Sequence, residues 1–298
     1  MKWSDYIFIE KLELPWHSWD RIKKKYPEAY KEAKKKGYVK GDGRTWSKRD
    51  LKKVSRVIIH QTAGGDSPEA TNKYHTRPNH VSPYGMPHIA YHFYIPKEPK
   101  TDSRGRVCVW QVNPVEDRAW HTKGNNGVGV GVVCGGSFYH SNWRGGKEHP
   151  TMEQMKGTRG IWLYLKERFN LTDRDLYGHF HFGKSACPGE KLENWIKVMR
   201  LSSEYYFDEE HWEDIQFALT ELGYAPGKID GIFGPKTRGA VSEFEDDYKM
   251  WGLVADGYWD DMTRDVLEKV WEAHKGGEKL AKRPVVLKPD FEKEFGNK

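Results

Sequence analysis

Short apolar runs that alternate with helical patterns constrain the fold of this chain more than any other feature of its sequence. Four runs predict strands, near residues 54–60, 90–95, 107–112 and 128–134. Two helices are predicted among them. One begins at Ser67-Pro68 and ends before Pro78, and a longer one runs from Thr151 to about Phe169. The alternation predicts an α/β domain built around a sheet.

Three possible zinc ligands stand out in the same region. His179 and Cys187 lie eight residues apart, and the Pro-Gly pair after Cys187 predicts a turn that presents the thiolate. His60 follows the apolar run 57–59 and is the third candidate. Two nitrogens and one thiolate would leave one zinc position open for water, as in a catalytic site. The alternative is that these are ordinary core or surface residues, because the chain has thirteen His.

Five segments of the chain resemble one enzyme family, and they occur in the family's order. They are residues 57–63 (VIIHQTA), 90–93 (AYHF), 120–126 (WHTKGNN), 128–133 (VGVGVV) and 178–189 (GHFHFGKSACPG). The family is the zinc-dependent N-acetylmuramoyl-L-alanine amidases, which includes phage lysins and peptidoglycan recognition proteins. The resemblance covers about residues 54–200. It implies a central mixed sheet flanked by helices and hydrolysis of the amide bond between N-acetylmuramic acid and L-alanine in peptidoglycan.

The resemblance also implies roles for individual residues. It assigns Zn²⁺ to His60, His179 and Cys187. Tyr91 becomes the candidate catalytic residue, which would serve the developing oxyanion and the proton transfers. The alternative for Tyr91 is a packing aromatic in a strand beside the one that ends at His60. The implied substrate contacts are His121, His92, Asn126 and Ser185.

Two departures from the family pattern affect these roles. Short phage amidases often carry Lys two residues before the Cys ligand, whereas this chain has Ser185 there and Lys184 one residue earlier. Relatives that use Asp in place of Cys add a Glu in the strand after the Asn motif, and residues 129–132 contain none. The resemblance therefore implies that catalysis depends on Tyr91 and on Ser185.

An internal repeat marks the C-terminal part. Asp230-Gly231-Ile232-Phe233 recurs 26 residues later as Asp256-Gly257-Tyr258-Trp259. Helices are predicted over about 208–222, after Pro235 and after Asp260. Residues 205–272 resemble the three-helix peptidoglycan-binding module, and the alternative is a small packing domain. We predict four regions: a basic, partly helical segment at 1–53, the amidase domain at 54–200, the binding module at 205–272 and a polar tail at 273–298.

The charge and composition of the chain restrict the classes of partner that it is expected to bind. Residues 1–53 carry sixteen Lys and Arg against eight Asp and Glu, whereas residues 205–272 carry six against seventeen. The basic segment could meet anionic envelope surfaces, although a solvated helical face is the simpler interpretation. The acidic region disfavours nucleic acid. No apolar run approaches the roughly 18 residues of a membrane span, so stable membrane insertion is not expected. Three cysteines argue against a disulfide framework.

The sequence therefore predicts a monomeric, zinc-dependent peptidoglycan amidase that binds bacterial peptidoglycan. No secretory signal is predicted at Met1, so we expect a phage or prophage endolysin that stays in the host cytoplasm until the membrane is breached and then acts at the cell wall. One rival is a non-catalytic peptidoglycan-recognition protein, which the retained Cys187 disfavours. Another is a zinc peptidase, which the absence of a His-Glu-x-x-His motif disfavours.

Overall fold

The computed structural model describes residues 2–15, 23–24, 27–35, 46–77, 80–81, 85–138, 148–200, 207 and 211–278. It divides the chain into two compact units, one ending at Leu192 and the other beginning at Glu193. Among these residues no helix is long and apolar enough to cross a membrane.

A mixed six-stranded sheet forms the centre of the first unit. Its strands are β1 (Ile7–Lys11), β2 (Arg56–Gln61), β3 (Phe93–Ile95), β4 (Val107–Gln111), β5 (Gly129–Cys134) and β6 (Leu176–Gly178). They lie in the order β1-β4-β3-β5-β2-β6. Only the pair of β3 and β4 is antiparallel, and the other neighbours are parallel. The predicted α/β fold with a mixed sheet is confirmed.

The helices of the first unit are α1 (Trp3–Tyr6), α2 (Pro27–Lys35), α3 (Pro68–His75) and α4 (Met152–Phe169), and α5 (Glu190–Met199) crosses the division between the units. Of these, α3 and α4 begin where the sequence analysis predicts a helix. The side chain of Ser67 caps α3 by accepting a hydrogen bond from the backbone of Ala70. Thr151 forms a capping box with Gln154 at the start of α4. Local capping therefore sets these two helix starts.

The N-terminal segment holds a strand that the sequence prediction missed. β1 pairs in parallel with β4 at the edge of the sheet, and Ile7 within it is fully buried. Gly160 of α4 makes room for it, because a Cβ at Gly160 would lie 2.5 Å from Ile7 Cγ2. The prediction of a partly helical segment at 1–53 was therefore incomplete. Three apolar residues among charges are too few to distinguish a strand from a helical face.

The neighbourhood of Tyr91 also differs from the prediction. β3 begins at Phe93, so Tyr91 precedes the strand, and β5 lies between β3 and β2. The side-chain amide of Asn113 donates to the carbonyls of Ile89 (2.7 Å) and Tyr91 (2.5 Å). Those carbonyls are thus satisfied by a side chain, and the segment up to Tyr91 forms a loop, whereas the backbone of His92 still bonds to Gly131 and Val112.

Helices dominate the second unit, as predicted. They are α6 (Trp212–Glu221), α7 (Pro235–Asp247) and α8 (Asp261–Lys275), with the side chain of Asp260 capping α8. Because α8 continues to Lys275, the first residues of the predicted tail at 273–298 are helical. The rest of the predicted tail, residues 279–298, lies outside the described residues.

The two Asp-Gly repeats share one hydrogen-bonding plan. Gln216 Oε1 accepts from the backbone N–H groups of Asp230 and Gly231, both at 3.0 Å. In the second repeat, Glu245 Oε2 accepts from Asp256 (3.1 Å) and Gly257 (2.8 Å). A buried side chain thus holds each turn, so the repeat serves the packing of this unit.

Candidate metal centre

Three potential metal ligands converge at one end of β2. One ligand atom each from His60, His179 and Cys187 can be chosen so that all lie within 4.8 Å of one another. His60 is in β2, His179 begins a short 3₁₀ helix (His179–Phe182) directly after β6, and Cys187 follows in the next loop. Because β2 and β6 are parallel neighbours, their carboxyl ends meet at the same edge of the sheet. The topology thus brings together residues that are 127 positions apart.

His60 is held with one nitrogen toward the cluster. The residue is 1% exposed, in the strand between β5 and β6. Its Nδ1 lies 3.8 Å from Cys187 Sγ, and its Nε2 points away, 3.1 Å from Nδ1 of His121. Nδ1 is therefore the nitrogen available to a metal.

The loop that carries Cys187 is fixed by Gln61. The side-chain amide of Gln61 donates to the carbonyl of Ala186 at 2.5 Å, and its Oε1 accepts from the backbone N–H of Phe138 at 2.5 Å. The backbone N–H of Gln61 also donates to the Cys187 thiol. At Gly189 φ is +97°, and a Cβ there would lie 2.0 Å from the carbonyl oxygen of Phe138. The predicted turn after Cys187 is thus tied to the end of β2.

Burial controls the charge of all three ligands. Burial, strengthened by His179, lowers the pKa of His60 well below its usual value. Burial and the charge of Lys184 lower the pKa of His179 to about 4. Burial raises the pKa of the Cys187 thiol to about 12, against the opposing effects of the Gln61 N–H and Lys184. The imidazoles are therefore neutral and can donate lone pairs, whereas the thiolate needs a nearby cation to form.

This donor set fits zinc. Two imidazole nitrogens and one thiolate are borderline-soft ligands of the kind that zinc sites use. Ordinary Zn–N and Zn–S bonds in a tetrahedron separate a nitrogen from a sulfur by about 3.6 Å. The 3.8 Å between His60 Nδ1 and Cys187 Sγ is close to that value. Three protein ligands also leave one position for water or substrate.

Tyr91 lies next to the cluster. Its ring centroid is 5.0 Å from that of His60 and 5.4 Å from that of His75, and the side chain is half-buried. Tyr94, three residues later, is different. It is fully buried, and its hydroxyl donates to the carbonyl of Gly65 at 3.0 Å. Of these two tyrosines, only Tyr91 combines partial exposure with contact to a ligand.

Two of the predicted substrate-binding residues are buried and engaged within the protein. His92 is fully buried, with Nδ1 accepting from the N–H of Gly131 (3.0 Å) and Nε2 donating to the carbonyl of Asp117 (2.9 Å). His121 is 5% exposed and lies behind His60. Their ring nitrogens face protein groups in this structure, and the expectation that these two residues contact substrate stays a prediction.

The other two predicted contacts remain accessible. Asn126 is half-buried, and its Oδ1 accepts from the N–H of Thr122 at 2.8 Å, which closes the loop before β5. Ser185 is exposed in the loop before Cys187. Lys184, beside it, affects the pKa values of both His179 and Cys187. A positive charge therefore acts on the cluster from one position earlier than in the short phage amidases.

Sequence reasoning missed Arg49, which lies in the basic segment. Its Nε donates to the carbonyl of Val115 at 2.6 Å, and its Nη1 donates to the carbonyl of Gly129. Burial lowers the pKa of Arg49 to about 10, so it stays charged at neutral pH. No local pattern indicated that Arg49 is buried against these carbonyls, because it stands among Lys and Arg residues whose usual position is the solvated surface.

Comparisons with known proteins agree with the division into units. Residues 50–190 match the family described as "N-acetylmuramoyl-L-alanine amidase", and residues 208–267 match the family described as "Putative peptidoglycan binding domain". No curated protein matches the chain.

Several solved structures also resemble the chain. The endolysin amidase LysCS from Clostridium intestinale URNW is 24% identical, with a TM-score of 0.38 over 49% of this chain and 82% of that one. Drosophila PGRP-LB is 18% identical, with a TM-score of 0.38 over 51% and 82%. Human PGRP-IBETAC, solved with glycosamyl muramyl pentapeptide, is 17% identical, with a TM-score of 0.40 over 51% and 86%.

Proposed function

We infer from the membership of residues 50–190 in the N-acetylmuramoyl-L-alanine amidase family, and of residues 208–267 in a peptidoglycan-binding family, that this chain is a zinc-dependent peptidoglycan amidase. Its reaction is hydrolysis of the amide bond between N-acetylmuramic acid and L-alanine. The observation that carries the proposal is the cluster of His60, His179 and Cys187 within 4.8 Å, inside the amidase-family region.

The residues in and around the metal centre would have different roles in this reaction. His60, His179 and Cys187 would hold the zinc ion, which supplies a Lewis acid for the carbonyl and lowers the pKa of water. The half-buried Tyr91 would donate its phenolic O–H to the oxyanion that develops on the carbonyl oxygen. Ser185 and Asn126, the accessible members of the predicted contacts, would bind the sugar or the peptide beside the scissile bond.

The second unit supports action on an insoluble wall. A peptidoglycan-binding module linked to a hydrolase raises the local enzyme concentration at a polymeric substrate. We propose that the chain is an endolysin that reaches the peptidoglycan from the cytoplasm of the host once the membrane is breached. The partner is bacterial peptidoglycan, and the protein acts as a monomer.

Non-catalytic recognition of peptidoglycan is the alternative function. The family includes recognition proteins, and the sheet and the binding module would serve recognition equally well. The presence of Cys187 within reach of His60 and His179 favours catalysis, because recognition needs no thiolate ligand.

Mass spectrometry of digested peptidoglycan distinguishes these functions. Purified sacculi incubated with the zinc-loaded protein should release stem peptides with a free N-terminal L-alanine, and the glycan should retain the lactyl carboxylate of muramic acid. Treatment with a chelator should stop the release, and added zinc should restore it. Binding to sacculi without new end groups would establish the recognition function. Cleavage inside the stem peptide would identify a peptidase.

A further inference from the structure

The second nitrogen of His60 faces another imidazole. His60 Nε2 lies 3.1 Å from Nδ1 of His121, on the side of the ring away from Cys187. Both residues are at least nine-tenths buried, so water has little access to this contact. A hydrogen bond between two imidazoles needs one N–H and one bare nitrogen, and the surroundings of His121 decide which ring supplies the proton.

Backbone chemistry fixes the direction of this bond. His121 Nε2 lies 3.1 Å from the carbonyl oxygen of Gly129, and a carbonyl can only accept. Nε2 of His121 therefore carries the proton, and its Nδ1 is a bare acceptor because the buried ring is neutral. A bare Nε2 on His60 would place two lone pairs 3.1 Å apart, so His60 donates from its own Nε2, and the next polar atom is Oγ1 of Thr122 at 3.5 Å. That leaves Nδ1 of His60 without a proton, on the side that faces Cys187.

We propose that His121 is a positioning residue that sets the tautomer of His60, so that the metal-binding nitrogen of His60 is always its unprotonated Nδ1. This proposal rests on the proposed zinc site and recasts the residue first expected to contact substrate. Partners of this kind orient metal-bound histidines and raise their basicity. Here the partner is an imidazole that passes the bond on to a backbone carbonyl.

The strand behind His121 is shaped to accept its ring. A Cβ at Gly131 would lie 2.7 Å from His121 Cγ and 2.9 Å from its Nδ1. A Cβ at Gly129 would lie 3.4 Å from His121 Cε1. The glycines at 129 and 131, where the sequence shows no Glu, thus leave space on β5 for the imidazole. The hydroxyl of Thr122, 3.0 Å from His121 Nδ1, bounds the ring near its acceptor nitrogen.

Arg49 completes the arrangement at the far end. Its Nη1 donates to the same carbonyl of Gly129 that accepts from His121. Arg49 is 9% exposed, and its guanidinium is held by a second bond to the carbonyl of Val115. The positive charge of Arg49 therefore holds in place the Gly129 carbonyl that accepts the hydrogen bond from His121. The chain of contacts runs from the metal-binding nitrogen of His60 to a residue in the N-terminal segment.

Two substitutions of His121 each keep one of its two hydrogen bonds, either the bond that it accepts from His60 or the bond that it donates to Gly129. In His121→Asn, Oδ1 takes the place of Nδ1 and can accept from His60. In His121→Gln, Nε2 takes the place of the donor to Gly129, and the remaining acceptor near His60 Nε2 is Oγ1 of Thr122, at the long distance of 3.5 Å. Zinc affinity is measured on the full chain by competition with a chelator. We expect His121→Gln to weaken zinc binding by about 10- to 100-fold and His121→Asn to stay within about threefold of the parent.

The tautomer itself can be read without any substitution. Long-range ¹H–¹⁵N spectra of the metal-free parent should show His60 protonated on Nε2 alone, and His121→Gln should show a mixture of both forms. A parent spectrum with His60 protonated on Nδ1 would overturn the proposal, even if the variants fail to fold. Equal zinc affinity in His121→Gln and the parent, or equal losses in both variants, would also overturn it. None of these readouts depends on amidase activity, so the proposed function can fail separately.

Discussion

Cys187 is the residue on which the proposed zinc site depends most directly. Cys187 is half-buried, the pKa of its thiol is raised to about 12 by desolvation, and it forms a thiolate only beside a cation. We therefore expect Cys187→Ser to lose bound zinc and amidase activity together, because a hydroxyl does not ionise as a thiol does. Zinc content is measured by atomic absorption after gel filtration. Cys108→Ser is the matched control, since Cys108 is a buried cysteine of β4 outside the cluster. A Cys187→Ser protein that keeps full zinc and full activity would exclude Cys187 as a ligand.

Substitution of Tyr91 tests its proposed role as the donor to the oxyanion. Tyr91→Phe keeps the ring that packs 5.0 Å from His60 but removes the proposed oxyanion donor. We expect zinc binding to be unchanged and kcat to fall by about 10²-fold, the usual scale for one such donor. Tyr94→Phe is the control. It loses a bond to the carbonyl of Gly65, which should cost about 1 kcal/mol of stability and leave kcat unchanged. A less than threefold effect in Tyr91→Phe would make Tyr91 a packing residue.

At the scale of the element, the sequence predicted those parts that local chemistry determines. The apolar run of β2 and the caps at Ser67 and Thr151 are signals within a few residues, and the structure confirms the elements they predict. The sequence also indicated His60, at the end of an apolar run, and Cys187, before a Pro-Gly turn, and the structure places a ligand atom of each within 4.8 Å of one from His179. The strand at 107–112 was predicted as well, and β4 occupies Val107–Gln111.

What the sequence did not predict depends on contacts between distant segments. β1 is a strand because β4 pairs with it, and Tyr91 lies in a loop because Asn113 binds the carbonyls around it. The burial of His92 and His121 follows from the packing of their loops against β5, which no local pattern reveals. His92 and His121 lie in the same sequence motifs as accessible residues. The motifs alone therefore could not distinguish a residue that supports the site from one that binds substrate.

The second Asp-Gly repeat carries a titratable group where the first has an amide. Glu245 is 1% exposed, and burial raises its pKa to about 8, with Asp256 and Asp260 adding to the rise. The folded unit therefore keeps this proton up to about pH 8, whereas the unfolded chain releases it near 4.5. Stability from this group is complete below pH 4.5 and decreases as the pH rises through 8.

Replacing Glu245 with Gln should remove that dependence. The amide copies Gln216, which donates to Thr237 at 3.1 Å in the first repeat, and Thr263 would be its partner. We expect Glu245→Gln to raise the free energy of unfolding at pH 9 by at least about 1 kcal/mol, because one pKa unit corresponds to about 1.4 kcal/mol. Urea unfolding of residues 193–298 at pH 5 and pH 9 measures it.

Gln216→Glu is the reciprocal variant of the same test. Its carboxylate would face Asp230 and the carbonyl of Ile232, two groups to which the amide of Gln216 now donates. We therefore expect it to destabilise the unit more at pH 9 than at pH 5. If Glu245→Gln changes stability equally at both pH values, the carboxyl does not titrate between them in the folded unit.

At the scale of the whole molecule, the N-terminal segment is part of the amidase unit. β1 forms one edge of the sheet, Trp46 is buried against Trp120, and Arg49 reaches the carbonyl of Gly129. The family match begins at residue 50, after all three. The basic segment at residues 1–53 thus contains buried positions as well as exposed residues such as Lys34 and Lys35. Residues 54–200 alone would lack part of the sheet and a support of the site.

We predict that the first unit catalyses the reaction and that the second unit binds the wall. A chain that ends at Leu192 keeps the sheet and the cluster. Ending it at Arg200 would instead retain Trp195, whose indole N–H donates to Asp265 of the second unit at 2.9 Å. We expect the chain of residues 1–192 to bind zinc and to cut soluble muropeptides at the rate of the full chain. On intact sacculi it should be slower by about tenfold or more, because it lacks the tether that concentrates the enzyme at the polymer. Residues 193–298 alone should sediment with sacculi. Equal rates of the short and full chains on sacculi, with no sedimentation of residues 193–298, would show that the second unit does not direct the enzyme to the wall.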